Sequence, residues 1–312
     1  MPDVDKSANG FTLEASPPTT GESGWWSEVV NNQSSTFLNG QHASVLSFEY
    51  ITLKNNKFEL STFDQAYVLA SIIKHLNIPS LLSVIGCSYG GMVAQAFAST
   101  YPHLTHSLIS LVSAHKNSIR SQTLRLIQRQ ILQLEAKNPI KQIALARALA
   151  VLTYRGVDEF DQRFGDLTEV ESYLEHNGMA FAKKFSANRY QQLSASIDKH
   201  EIDPCTIKVP TLLIAIDSDQ LVPVSLVKTF AAEIPAPCSC HIIPSVFGHD
   251  GFLKELHTIT PILNDFLANR LVGIFPEQQN DSTRPMFTNT SHSTSAGAPP
   301  QITTPKITNA RC

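Results

Sequence analysis

The stretch LLSVIGCSYGGMVAQAFASTYP, residues 81–102, decides the fold. Its apolar segment 81–85 runs into Gly86-Cys87-Ser88-Tyr89-Gly90-Gly91, and a small-residue segment then continues to Tyr101-Pro102. An apolar strand, a glycine-rich turn and a helix in that order describe a βα unit, and Gly86 to Gly90 within it matches G-x-S-x-G. In such a turn the serine backbone is strained, so its neighbours must lack side chains that would collide with the adjacent strand and helix. The helix start beneath Ser88 also favours negative charge developing at a reacting carbonyl. Glycine-rich turns occur as plain connections in α/β sheets too, so the partners of Ser88 must decide between the two readings.

Working outward, a strand over 44–48 leads to a helix over 62–75, where Phe63, Ala66, Leu69, Ala70 and Ile73 fall at helical spacing. A helix over 92–99 follows the central turn, then strands over 107–113, 211–216 and 238–243, with a helix over 224–232 between the last two. This alternation predicts an α/β fold with a mostly parallel sheet flanked by helices. Residues 115–200 break it with helical segments at 121–136, 139–154, 169–185 and 189–200. A helical block inserted between strands predicts a lid over the carboxyl ends of the sheet, where open α/β sheets place ligands. The expected organisation is a flexible polar head (1–23), a first core part (24–114), the lid (115–200), a second core part (201–272) and a disordered tail (273–312). That tail is rich in Ser, Thr, Pro and Asn and buries too little apolar surface to offset its ordering entropy.

Composition narrows the function. Hydrophobic residues make up 42% of the 312, and the formal net charge of -3 lacks the positive excess that phosphate-backbone binding favours, so no nucleic-acid partner is expected. No segment carries the apolar run of a membrane span, and the first residues lack a basic head with an apolar core, which predicts a cytoplasmic protein without a membrane partner. The five cysteines are odd in number and scattered, fitting reduced thiols. Cys238-Ser239-Cys240 is not zinc-finger spacing and has no second pair, so no metal site is expected.

The acid and base that would activate Ser88 should follow it in the order Asp, His, each just beyond a later strand. Asp217 and Asp219 follow the segment 211–216, and His249 follows 238–243. Asp219 is preferred because Leu221-Val222-Pro223 after it resembles the usual exit from such an acid loop; Asp217 would cap its strand or turn. His249 would take the proton from Ser88, and Asp219 would fix the imidazole tautomer and stabilise its cation.

The stretches GCSYGGMVAQAFASTYP, SAHKNSIRSQTLRLIQRQIL, ARALAVLTYRGVDEFDQRF, VESYLEHNGMAFAKKFSANRYQQLSASIDKH and DSDQLVP with GHDGFLKE resemble the homoserine O-acyltransferase family of the α/β-hydrolase fold, with GWWSEVV (24–30) as a further part. Compact homoserine O-succinyltransferases of methionine biosynthesis are the nearest likeness, over about 24–267. The resemblance implies a ping-pong reaction with acyl-CoA as co-substrate and no bound cofactor. Ser88 takes a succinyl or acetyl group and passes it to the homoserine hydroxyl. It also implies that Asp250, directly after the histidine, binds the acceptor, and that the lid mediates a homodimer. Arg155 and Arg129 are candidates for a substrate carboxylate or the acyl donor, against the alternative of ion-paired lid residues. Arg120, Arg125, Lys137 and Lys141 are candidates for CoA phosphates, or simply a wet helix face.

One departure stands out. The first oxyanion amide is expected from Tyr89, but the family's strand and loop for the second precede GWWSEVV, where only the polar head stands. Nor does SFEYITLKNN (47–56) match the family's glycine-rich loop. Loss of one donor typically costs about a hundred to a thousandfold in turnover. The expectation is therefore an enzyme shortened at its N-terminus, with an atypical replacement from the head or as a weakly active or inactive relative. The competing enzyme reading is a serine esterase or thioesterase, in which water takes the acyl group. Serine in place of homoserine also stays open.

Overall fold

Segments that are apolar without a break form the centre of the sheet. In the computed structural model, which describes residues 45–53, 59–134 and 138–274, four strands run parallel in the order β1 (Val84–Cys87), β2 (Leu108–Leu111), β3 (Thr211–Ile216) and β4 (Cys238–Ile243). Val84 lies opposite Leu108, Leu108 opposite Thr211, and Thr211 opposite Cys238. Every residue of β2 and β3 is buried, as strands covered on both faces must be.

Helices α1 (Thr62–His75) and α2 (Tyr89–Thr100) flank β1 in sequence. Ser61 opens α1 with a capping box, its Oγ accepting from Asp64 N–H (3.3 Å) while Asp64 Oδ2 accepts from Ser61 N–H (2.7 Å). After β2 come α3 (Ile119–Ile131), α4 (Pro139–Tyr154), α5 (Glu159–Arg163), α6 (Leu167–Ala182) and α7 (Ala187–Asp198). Then α8 (Val224–Glu233) joins β3 to β4, and α9 (Gly251–Lys254) and α10 (Leu256–Ile274) close the described chain. Because strand side chains alternate, one set (Leu108, Leu213, Ala215) packs with Ile73, Phe97 and Phe230 of α1, α2 and α8. The other set (Ile109, Leu212, Ile214) packs with Ile259, Leu263 and Leu267 of α10.

Helices α3, α4, α6 and α7 share a core of their own around Leu132, Ile143, Ala146, Ala182 and Tyr190. The chain enters and leaves this block side by side: Ile202 N–H donates to His115 O (2.9 Å), and Lys116 bridges Glu201 antiparallel. Asn117 Nδ2 donates to Ile197 O (2.6 Å) across the same neck.

Three expectations change. The described part of 44–48 forms no strand, and just beyond it Tyr50, Ile51 and Leu53 find backbone hydrogen-bond partners on side chains instead of on a ladder. Ile51 N–H donates to Gln65 Oε1 (3.0 Å) and its carbonyl accepts from Gln65 Nε2 (2.9 Å). Leu53 is held the same way by Gln192 (2.7 and 2.8 Å), and Tyr50 O accepts from Arg189 Nη1 (3.1 Å). Two glutamine amides of α1 and α7 thus imitate the neighbouring strand. The helix expected over 92–99 begins directly after Ser88, at Tyr89, and α10 was not foreseen; it runs to Ile274, just past the expected start of the tail. The head, residue 44 and the tail from 275 lie outside the described residues. Among the described residues no helix is long and apolar enough to cross a membrane.

Candidate active site

The site assembles at the carboxyl ends of β1, β3 and β4. Ser88 stands between β1 and α2 with φ 51° and ψ -119°, a left-handed conformation that costs roughly 1–3 kcal/mol for a residue with a Cβ. The turn is closed tightly: a Cβ on Gly86 would lie 2.0 Å from Gly90 O, so only glycine fits there. Ser88 N–H is anchored on Leu111 O of β2 (2.9 Å). Held this way, Ser88 Oγ lies 2.7 Å from His249 Nε2.

Beyond β3, the Asp219 carboxylate is fixed by two backbone donors, Leu221 N–H (2.8 Å) and Val222 N–H (3.0 Å), both to Oδ1. Its Oδ2 faces His249 Nδ1 at 2.7 Å. Asp219 and His249 are both buried. Asp217 has a different task, accepting from Ser245 N–H (3.0 Å) of the histidine loop. Ser218 Oγ ties the same loops together, donating to Ser245 O and accepting from Gly248 N–H (3.1 Å). Gly248 has φ 61°, and a Cβ there would lie 2.5 Å from Gly156 N, so the histidine loop can press directly against the helical block after Tyr154-Arg155.

Burial is the strongest influence on His249 and disfavours its cation. The Asp219 carboxylate, by charge and hydrogen bond, and then Asp250 outweigh burial, so the imidazole pKa is raised above its ordinary value, with Arg125 opposing. An imidazole so poised accepts a proton from Ser88 readily and keeps it beside a fixed carboxylate.

Asp250 lies next to this row. Burial pushes its carboxyl pKa up, countered first by Arg155. Arg155 Nη2 stands 3.4 Å from Asp250 Oδ2 and donates to Tyr173 Oη (3.2 Å), with Glu159 Oε1 4.0 Å from Nη1. Arg155 Nε and Nη1 and Glu159 Oε2 are buried and make no hydrogen bond among the described residues. Buried donors left over on a guanidinium suit an incoming carboxylate.

Arg129 is not part of that group. Its Nη2 pairs with Asp198 Oδ2 (2.6 Å) and its Nη1 donates to Ser194 Oγ (2.8 Å), both on α7. Arg125, grouped from sequence with a wet helix face, is instead largely buried, with Nε on Asp198 Oδ1 (2.6 Å) and Nη2 on Asn117 Oδ1 (2.7 Å). Arg120 and Lys141 are exposed, and Lys137 lies outside the described residues. Tyr89 opens α2, where first-turn amides point out of the helix; its hydroxyl meets Ser196 Oγ (2.8 Å) and its ring meets Tyr50 edge-on at 4.9 Å. The head named as a source of the second oxyanion amide lies outside the described residues.

Sequence reasoning missed Tyr154, Glu159, Tyr173 and Asp198. Glu159 follows Arg155 by four residues, a spacing that signals an ion pair. Tyr154, whose ring lies 5.8 Å from that of His249, and Asp198 carry no such local signal.

A model of the alpha/beta hydrolase fold matches residues 14–256. Homoserine O-succinyltransferase of Xanthomonas campestris pv. campestris is 31% identical over 258 residues, covering 79% of this chain and 69% of that protein. Homoserine O-acetyltransferase of Trichormus variabilis is 30% identical over 239 residues, 69% of this chain and 66% of its own. The chain therefore spans about two thirds of the length of these curated relatives. Among solved structures, homoserine O-acetyltransferase from Staphylococcus aureus superposes with a TM-score of 0.65 at 25% identity, over 80% of each chain. Esterase E22 superposes at 0.61 with 18% identity over 67% of each, a likeness of fold alone. The chain belongs to the homoserine O-acyltransferase family of the alpha/beta hydrolase fold.

Proposed function

We propose that this protein moves an acyl group from an acyl-CoA to the side-chain hydroxyl of L-homoserine, through an ester on Ser88, in methionine biosynthesis. The observation that carries this reading is the hydrogen-bonded row Ser88–His249–Asp219 with the Asp250–Arg155 pair directly beside it.

In the first half-reaction His249 Nε2 accepts the Ser88 hydroxyl proton as Oγ bonds to the thioester carbonyl carbon. The C–S bond then breaks, and His249 returns the proton to the departing thiolate, releasing CoA. Asp219 stabilises the imidazolium and holds its tautomer. The Tyr89 amide and the amino end of α2 face the negative charge that develops on the carbonyl oxygen. In the second half-reaction the homoserine hydroxyl gives its proton to His249 and attacks the ester carbonyl carbon; the bond from that carbon to Ser88 Oγ then breaks, and His249 returns the proton to Oγ. The homoserine ammonium pairs with Asp250, and its carboxylate takes the remaining donors of Arg155.

The setting that goes with these substrates is the cytoplasm, and the assembly is a homodimer formed through the lid. Leu145 and Leu152, seven residues apart on one face of α4, are 57% and 49% exposed and suit such a contact.

The test is release of free CoA thiol with and without homoserine. Release that requires homoserine and disappears in Ser88→Ala is expected. Equal release without homoserine would make the protein a thioesterase and sink the transferase reading.

A further inference from the structure

A row of alternating charge runs from the surface to the catalytic histidine. Arg163 Nη1 lies 3.2 Å from Glu159 Oε1, the same oxygen lies 4.0 Å from Arg155 Nη1, and Arg155 Nη2 lies 3.4 Å from Asp250 Oδ2. Arg163 is half-exposed at one end of the row, and Asp250 directly follows His249 at the other. Glu159 has no part in the reaction described above, yet its side chain is only 5% exposed and its Oε2 makes no hydrogen bond among the described residues. Its placement is firm. Glu159 opens α5, which is pinned on α6 by rings: Phe160 and Phe164 lie 6.4 and 5.2 Å from Tyr173, and the Arg163 guanidinium lies 4.3 Å over the Tyr173 ring. Tyr173 Oη also accepts from Arg155 Nη2 (3.2 Å), so one tyrosine ties both arginines of the row to α6.

We propose that Glu159 is a positioning residue for the acceptor half-reaction: it holds the Arg155 guanidinium back from Asp250, so that Asp250 keeps its charge for the ammonium group of the acceptor. This rests on the acyltransferase reading above and deepens it.

Geometry and charge carry the argument. A guanidinium free to face a carboxylate meets it fork on fork, with two parallel N–H···O bonds of about 2.7–2.9 Å. Arg155 does not meet Asp250 in this way. Only Nη2 is turned to the carboxylate, at 3.4 Å, and that nitrogen is shared with Tyr173, while Nη1 lies on the side of Glu159. So loose a pair leaves acceptor positions of Asp250 open, which an ammonium group with three donors can use. A bidentate arginine would occupy them and cancel the charge. Without Glu159 nothing would keep Arg155 from closing on Asp250, since a buried guanidinium seeks the nearest anion. Arg163 in turn balances Glu159. The row then holds two positive and two negative groups, and it stays neutral when a zwitterion with one charge of each sign enters.

The experiment separates the two half-reactions in the wild type, Glu159→Gln and Glu159→Asp. The rate of adduct formation on Ser88 is read by intact mass after mixing with succinyl-CoA or acetyl-CoA alone, and KM for homoserine is read from steady-state CoA release. Glu159→Gln is expected to form the adduct at the wild-type rate while its KM for homoserine rises about ten- to a hundredfold, the loss of one charge-assisted contact. Glu159→Asp, which keeps the charge but is one methylene short, is expected to show a smaller rise of the same kind. An unchanged KM for homoserine in Glu159→Gln would overturn the proposal. So would adduct formation and homoserine use that slow by one factor, since that is what a purely structural carboxylate would produce. If Glu159→Gln does not fold, Glu159→Asp decides by the same two criteria. A folded wild type that forms no adduct with either donor would overturn the underlying transferase reading instead.

Discussion

At the scale of residues, Asp250 acts in two directions at once. Its charge helps raise the pKa of His249, second to Asp219, against the opposing effect of burial. In the proposed reaction it also takes the homoserine ammonium. His249 must be neutral to accept the Ser88 proton, so activity falls as pH drops through the raised pKa, which lies above the ordinary value of about 6.5. In Asp250→Asn its share of the raising influence is gone while that of Asp219 remains, and the acid limb of the pH–rate profile moves to lower pH. KM for homoserine rises at the same time, by roughly ten- to a hundredfold for one lost charge-assisted hydrogen bond. A pH profile and a homoserine titration of this variant check both. A limb that stays in place would mean that Asp250 does not act on His249.

At the scale of elements, the two glutamines that hold residues 45–53 make a sharper prediction than any strand would. Gln192→Leu removes the partner of Leu53 N–H and one of two donors to Leu53 O, Asn188 Nδ2 (2.9 Å) remaining as the other. Stability should fall by about 1–3 kcal/mol, read by urea unfolding, and a change under about 0.5 kcal/mol would show that the segment holds without it. The same segment explains where sequence reading fails. Residues 44–48 read as a strand, but nothing local reveals that just beyond them side-chain amides from α1 and α7 serve the backbone of Ile51 and Leu53. By contrast, α1, β3 and β4 have the bounds their sequence implies, because a helical stripe with a Ser61 cap and unbroken or β-rich apolar runs leave little choice. Helix α10 was hidden by Pro261, which reads as a breaker yet lies in its second turn. Ser88, Asp219 and His249 were legible because each directly follows a readable strand or the loop after one. Arg125 was not, because its partner Asp198 is distant in sequence and local charge patterning cannot tell a buried pair from a wet face.

At the scale of the whole molecule, the sheet fixes the row of Ser88, Asp219 and His249, while the helical block supplies Arg155, 3.4 Å from Asp250. Their relative placement depends on the neck at His115 and Ile202 and on the close approach of Gly248 to Gly156. If the lid also joins two copies, Leu145→Asp with Leu152→Asp should convert a dimer to a monomer in sedimentation velocity. A wild type that sediments as a monomer would refute that assembly.

The central claim is the ester on Ser88, and the mass of the intact protein after brief mixing with succinyl-CoA tests it most directly. The expected result is a succinyl adduct on the wild type, absent from Ser88→Ala and discharged by adding homoserine. A folded protein that gains no adduct from succinyl-CoA or acetyl-CoA, or an adduct that persists in Ser88→Ala, would contradict the account.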